Sequence, residues 1–166
     1  MKNVIRIICI MLISVSISNQ LAGQEKYRAM PVPPEPLLGT WIAEDGNKSY
    51  EMTLIQETLY FPETDHYTEY ILGKLIYREN GKIVRETEYD RLNSIIYGRI
   101  REPNKVYFMF QDSERMVRWR FEFIIDENDP SKAVWKWGLG QGLMGSGWNK
   151  ENEPDIPDNL TFRKVK

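Results

Sequence analysis

Hydrophobic and polar residues alternate with a period of two along most of the chain from Leu38 onward. The clearest run sets Val117, Trp119, Phe121, Phe123 and Ile125 against Arg118, Arg120 and Glu122. Alternation of this kind is typical of a strand with one buried and one solvated face. No stretch has a convincing helical period, so the pattern predicts an all-β protein.

Nine segments of the chain are predicted to be strands, and turn residues separate them. They are 38–44, 48–56, 68–78, 82–89, 94–101, 105–112, 117–125, 133–137 and 160–165. Asn80-Gly81 gives the strongest hairpin signal, because both residues accept a positive φ. Short connections between consecutive strands favour a single antiparallel up-and-down barrel of about 8–10 strands, lipocalin-like, with a two-sheet β-sandwich as the alternative.

Gly39-Thr40-Trp41 opens the first predicted strand, and a G-x-W motif there is a common start for a closed barrel. We expect the first and last strands to be neighbours and Arg163 to stack on the Trp41 ring, a cation–π contact worth about 0.5–2 kcal/mol. The alternative is that Trp41 is an ordinary core residue and Arg163 lies in solvent. Gly39, Trp41 and Arg163 are therefore the predicted structural signature of the barrel.

The first 23 residues differ from the remainder of the chain. Lys2 and Arg6 precede an apolar run over 7–17, and small residues follow at 22–23. Because a run of about ten apolar residues falls short of the about 20 that cross a bilayer, residues 1–23 are predicted to be a cleaved signal peptide. We therefore expect an exported protein, periplasmic or extracellular, with no transmembrane span after cleavage.

The region after the predicted signal contains a proline-rich arm and one domain. Prolines at 31, 33, 34 and 36 forbid a helix and predict an extended arm over 24–37, before a barrel domain over 38–166. Cys9, the only cysteine of the chain, lies in the predicted signal, so the barrel is expected to have neither a disulfide nor a lipid anchor.

Charge and motif content narrow the function classes. Without Lys2 and Arg6, 20 basic residues face 24 acidic ones, a net charge of −4, and no basic block predicts a nucleic-acid partner. His66 is the only histidine, which excludes a multi-histidine metal site. The G-x-G-x-x-G letters over 140–145 lack a βαβ context. No catalytic residue, metal or cofactor is predicted, and an enzyme is the least favoured class.

Two binding hypotheses remain open. In the first, the barrel mouth accepts a small apolar or amphipathic ligand on Trp119, Trp135, Trp137 and Trp148, the last on a long loop over 138–159. In the second, the barrel is filled and the protein contacts an envelope protein or surface polymer through the arm and the loop. An interior cavity above about 300 Å³ would favour the first. Oligomeric state is left open.

Five short motifs carry a family resemblance. They are Gly39-Thr40-Trp41, Tyr70-Ile71-Leu72-Gly73-Lys74, Ile96-Tyr97-Gly98-Arg99-Ile100, Trp135-Lys136-Trp137 and the closing segment 157–164. With them the chain resembles a family of short exported Bacteroidetes proteins defined by a domain of unknown function, number 6705. The resemblance implies a lipocalin-like β fold and an envelope or extracellular location, and it brings no catalytic residue. Many members have a lipobox cysteine and further cysteines before the last strands, and this chain has neither.

Overall fold

The protein is described from a computed structural model, which covers residues 26–87, 95–112, 117–137 and 157–165. This part of the chain consists of strands and turns. The ten strands are β1 Tyr27–Arg28, β2 Gly39–Asp45, β3 Lys48–Phe61, β4 His66–Glu79, β5 Lys82–Glu86, β6 Ile95–Glu102, β7 Lys105–Asp112, β8 Val117–Ile125, β9 Lys132–Trp137 and β10 Leu160–Lys164.

Eight of these strands form a closed up-and-down barrel. Their order around the barrel is β4-β3-β2-β10-β9-β8-β7-β6, and a β4–β6 pairing completes the circle. The first and last barrel strands are neighbours, with Lys164 opposite Trp41 and Arg163 opposite Ile42. The predicted barrel is therefore confirmed, and the chain does not form the alternative sandwich.

Two strands lie off the barrel path. β5 pairs with β4 through the Asn80-Gly81 hairpin, in which φ is 51° at Asn80 and 76° at Gly81. β6 pairs with β4 nearer the start of that strand, at 71–73, so β5 is not a barrel member although it lies within one of the predicted strands. After β5, Thr87 is bonded to Leu75 twice: its N–H donates to the Leu75 carbonyl and its hydroxyl accepts from the Leu75 N–H, both at 2.8 Å.

The described residues divide into two compact units. The smaller, here called the hairpin unit, comprises 26–29 and 58–69, and in it β1 pairs in parallel with the start of β4. Asp65 accepts hydrogen bonds from Lys26 and from Tyr60, and these lower the pKa of its carboxyl below the ordinary value. His66 stacks on Phe61 with ring centroids 5.2 Å apart. These contacts give His66 a packing role within the hairpin.

The barrel unit comprises 30–57 and the described residues from Tyr70 onward, and aromatic side chains fill its interior. The inward positions of each strand are buried because the side chains alternate between the two faces. The large side chains buried there include Trp41, Tyr50, Phe108, Phe121, Phe123, Trp135 and Phe162. Burial of each such side chain contributes about 1.5–3 kcal/mol, so this interior is the main source of stability.

Two glycines allow close approach of strands at the β4–β6–β7 seam. A Cβ atom at Gly98 would lie 2.5 Å from the Tyr107 carbonyl oxygen and 2.8 Å from a ring carbon of Phe108. A Cβ atom at Gly73 would lie 2.8 Å from a methyl carbon of Ile96. The barrel therefore closes tightly where β6 meets both of its neighbours.

The contact predicted between Arg163 and Trp41 is wrong by one residue. Arg163 is opposite Ile42 and exposed, whereas Lys164 lies opposite Trp41 with its ammonium 5.3 Å from the indole ring centroid. Successive side chains of a strand point to opposite faces, so only one of the two cations can reach the inward-facing ring. Trp41 itself is fully buried, which confirms the core role considered as the alternative.

The end of the proline-rich arm packs against this side of the barrel. The chain turns at 34–37, where the Leu37 N–H donates to the Pro34 carbonyl at 2.8 Å, and Leu37 is buried. The Leu37 carbonyl accepts from the Trp41 indole N–H, and the Pro36 carbonyl accepts from the Lys164 ammonium, both at 2.8 Å. Partial burial lowers the pKa of Lys164. The arm thus ends in a turn rather than in an extended segment.

Candidate functional site

Three of the four predicted ligand-binding tryptophans come together in the barrel. Trp137 lies 5.4 Å from Trp135 and 6.4 Å from Trp119, measured between ring centroids. Phe121 stacks on Trp135 at 3.4 Å. Trp148 and most of its loop lie outside the described residues.

The environment of these tryptophans is a packed core. Trp119 and Trp135 are buried and Trp137 is half-buried, and each ring meets neighbouring aromatic rings. The buried indole N–H groups of Trp119 and Trp135 have no hydrogen-bond partner among the described residues. The three rings thus lie together, but their faces are largely occupied by one another.

A groove lies on the outer face of the barrel, across β4, β6, β7 and β8. Its volume is about 630 Å³, and it is lined by Tyr70, Tyr97, Gly98, Arg99, Glu102, Tyr107, Phe108, Met109 and Arg120. Most of these residues occupy the outward positions of their strands, because the alternate positions supply the core. A volume of this size falls in the range of ligand pockets, about 300–1,000 Å³. We refer to it as the outer groove.

The strand register builds the outer groove from two rows of side chains. In one row Tyr97 is opposite Met109, which is opposite Arg120. In the neighbouring row, two residues along each strand, Arg99 is opposite Tyr107. The two arginines therefore lie at diagonally opposite corners of the groove, with Tyr97 and Tyr107 between them.

Ring contacts hold one side of the outer groove in place. Tyr70 and Tyr97 meet edge to face with centroids 5.9 Å apart, and the Arg99 guanidinium lies 5.9 Å from the Tyr70 ring centroid. Cation–π contacts of this kind contribute about 0.5–1 kcal/mol at exposed sites. Arg99 is thereby positioned beside the groove instead of extending into solvent.

The charged groups at the other side of the groove are mostly engaged. Glu102 accepts from the Tyr107 hydroxyl at 2.8 Å, and the Lys105 ammonium lies 3.7 Å from Glu102 and 3.6 Å from Glu122. The hydrogen bond with Tyr107 and the two carboxylates raise the pKa of Lys105 above its ordinary value. Arg120 is exposed and forms no ion pair with any described acid. It is the groove's available cation.

Sequence reasoning did not single out the outer groove. It placed Arg120 on the solvated face of its strand. The available signal was the presence of tyrosines at outward positions, since Tyr97 and Tyr107 alternate with buried residues such as Ile96 and Phe108. The cross-strand register, which the sequence does not contain, decides that these tyrosines meet the arginines.

Other kinds of site find no support in the described ranges. Among these residues no group of three or more His, Cys, Asp or Glu side chains is arranged to hold a metal ion. The same residues include no helix of the length and apolar character needed to cross a membrane.

Comparisons with known proteins identify a family but no characterised relative. The model of a family of unknown function, DUF6705, matches residues 1–165. No curated protein and no solved structure matches the chain.

Proposed function

The chain belongs to a family of unknown function, DUF6705, and we propose that its barrel is a packed scaffold that binds a partner on its outer face. The observation that carries the proposal is the outer groove, in which tyrosine rings and arginine guanidiniums converge within about 630 Å³. The aromatic interior supports the same view, because the described strands bury a cluster of Trp, Phe and Tyr side chains inside the barrel.

The side chains of the groove fit a ligand with a flat apolar part and an anionic part. Tyrosine supplies a broad rigid surface with a polar tip, and it loses little conformational entropy on binding. Arg120 supplies a planar donor fork that matches a carboxylate. A molecule that combines the two parts uses both rows of the groove.

A two-probe NMR titration tests this function. Naphthalene-2-carboxylate has the shape and charge suited to the outer groove, and dodecanoate suits an apolar barrel mouth. We expect naphthalene-2-carboxylate to shift the backbone amide signals of 97–99, 107–109 and 120, and Tyr97→Ala to reduce these shifts strongly. Tyr67→Ala, which removes a tyrosine of the hairpin unit that is 46% exposed, is the matched control. Equal shifts in both variants would contradict the proposal.

A second candidate is the amphipathic ligand at the barrel mouth. It is favoured by the buried indole N–H groups of Trp119 and Trp135, which lack partners in the described part of the chain, since buried donors of this kind normally have one. In the same titration, dodecanoate would then shift the indole Nε1–H signals of Trp119, Trp135 and Trp137. Unchanged indole signals leave the outer groove as the binding site.

We propose further that the protein is exported and that its barrel is lipocalin-like. Export is supported by the basic residues that precede an apolar run within 1–23. The comparison with lipocalins is supported by the eight barrel strands that follow one another from Gly39-Thr40-Trp41 onward. N-terminal sequencing of protein recovered from the periplasm or medium of its host should begin at Gln24. A mature protein that still begins at Met1 would contradict export by cleavage.

A further inference from the structure

We propose that the outer groove binds acidic saccharides, chains whose sugar rings carry carboxylates. This inference rests on the outer groove being the binding site of the protein, and it names the chemical class of ligand. Three features of the groove carry it: its tyrosine rings, the charge it presents, and its position in the middle of a closed sheet.

The tyrosines offer the surface that a sugar ring needs. A pyranose has an apolar face made of C–H bonds and a rim of hydroxyl groups, so it packs flat on an aromatic ring while its rim hydrogen-bonds to polar neighbours. Tyr107 is 38% exposed, and its hydroxyl is held by Glu102, which fixes the ring at the groove. Tyr97 is held from the other side by Tyr70. Both rings are therefore positioned before a ligand arrives.

The charge of the groove favours an acid over a neutral sugar. Arg99 and Arg120 line it, and the one lining carboxylate among the described residues, Glu102, is already engaged by Tyr107 and Lys105. An exposed arginine without an ion pair can take a carboxylate in a bidentate hydrogen bond. Arg120 is accordingly the residue that we expect to bind the acid group directly.

The width of the groove favours a chain over a single sugar. Arg99 lies on β6 and Arg120 on β8, with β7 between them. Strands are about 4.8 Å apart, so the two backbones are separated by about 10 Å across the sheet. A surface of that width is broader than one sugar ring. It suits an oligosaccharide whose carboxylate binds at Arg120 while neighbouring rings pack on the tyrosines.

The position of the groove argues against an extended peptide. Peptides that bind to sheets usually add a strand to a free edge and gain main-chain hydrogen bonds. Here β6, β7 and β8 are each paired on both sides, so the backbone at the groove is already engaged. Recognition there uses side chains alone, which fits a ligand that carries its own rim of hydroxyl donors and acceptors.

Calorimetry with three probes of matched length tests the inference. The probes are hexagalacturonate, the neutral sugar maltohexaose and the acidic peptide hexaglutamate. We expect hexagalacturonate to bind at least 10-fold more tightly than either of the others. Arg120→Gln should weaken it by about 10–100-fold, the loss expected for a charge-assisted hydrogen bond. Arg163→Gln, the same change at an exposed outward arginine of β10, should alter Kd less than twofold.

The alternative outcomes separate this inference from the proposed function. Equal binding of maltohexaose, unaffected by Arg120→Gln, would overturn acid selectivity, and equal binding of hexaglutamate would overturn the saccharide class. In both cases groove shifts with naphthalene-2-carboxylate would still uphold the proposed function. Failure of every probe to shift the groove amides would overturn both. Circular dichroism of each variant checks that the barrel has folded.

Discussion

The close approach of β6 and β7 at Gly98 gives the most demanding prediction: Gly98→Ala should destabilise the protein more than Gly73→Ala. At Gly98 the added methyl group meets the backbone carbonyl oxygen of Tyr107 at 2.5 Å, and two core side chains also crowd it. At Gly73 the nearest atoms are the Cγ2 methyl of Ile96 at 2.8 Å and its Cβ at 3.1 Å, which belong to a side chain and can shift more readily than a paired backbone carbonyl. Neither glycine has a positive φ, so backbone strain does not enter the comparison.

The expected magnitudes follow from these contacts. Overpacking a well-packed core costs about 1–3 kcal/mol, and the backbone clash at Gly98 places that variant at the upper end of this range. Replacing glycine by alanine recovers about 0.4–1 kcal/mol by restricting the unfolded chain. We therefore expect a net loss of about 2 kcal/mol for Gly98→Ala and about 0–1 kcal/mol for Gly73→Ala.

Urea unfolding followed by tryptophan fluorescence measures both variants. The midpoint should fall for Gly98→Ala with the slope m unchanged, because a change in midpoint alone reports a change in stability. The buried Trp41 and Trp135 provide the signal. Equal midpoints for the two variants, or a lower midpoint for Gly73→Ala, would refute the claim that the backbone contact at Gly98 is the more restrictive one.

Three further changes test other parts of the fold. Trp41→Ala should lower the free energy of unfolding by about 3–5 kcal/mol, as for other buried aromatic residues, and a near-normal thermal melting temperature would contradict its core role. Lys164→Met should lower thermal stability more than Arg163→Met, because only Lys164 contacts the Trp41 ring and the Pro36 carbonyl; equal effects would contradict a stabilising role of these contacts. Hydrogen bonds from Lys132 and Ser131 lower the pKa of Asp129 from 3.8 to about 2, so its stabilising contribution is present above pH 3.8 and lost as the pH falls to about 2. Asp129→Asn should therefore make the free energy of unfolding depend less on pH between 3.8 and about 2. An unchanged pH dependence would rule out that contribution.

The barrel could be predicted from the sequence because the information it requires is local. Alternation assigns each residue to a face, and Asn80-Gly81 fixes a turn by its positive φ values. With eight sequential strands, neighbours along the chain become neighbours in the sheet. The role of β5 was missed because the hairpin turn predicts a strand after Gly81 without saying whether that strand joins the barrel, and β6 pairs with β4 beside it.

The details that were missed depend on register. Lys164 and Arg163 are equally plausible cations beside Trp41 until the pairing of β10 with β2 is known, and a shift of one residue exchanges the two faces. Likewise, Tyr97 and Arg120 lie 23 positions apart in the chain and become groove partners only through Met109 between them. Tyrosine at an outward position was the one local sign of that surface.

The pairing of β10 with β2 also bears on how the protein reaches its native state. Lys164 and Trp41 are 123 positions apart along the chain, whereas every other junction in the barrel joins strands that are close in sequence. Contacts between distant residues require the largest loss of chain entropy, and proteins that depend on them fold slowly. We expect the strands that are close in sequence to pair first and the junction between β10 and β2 to form last. Until it forms, β2 and β10 expose unpaired edges, and the nascent protein is then at its greatest risk of aggregation.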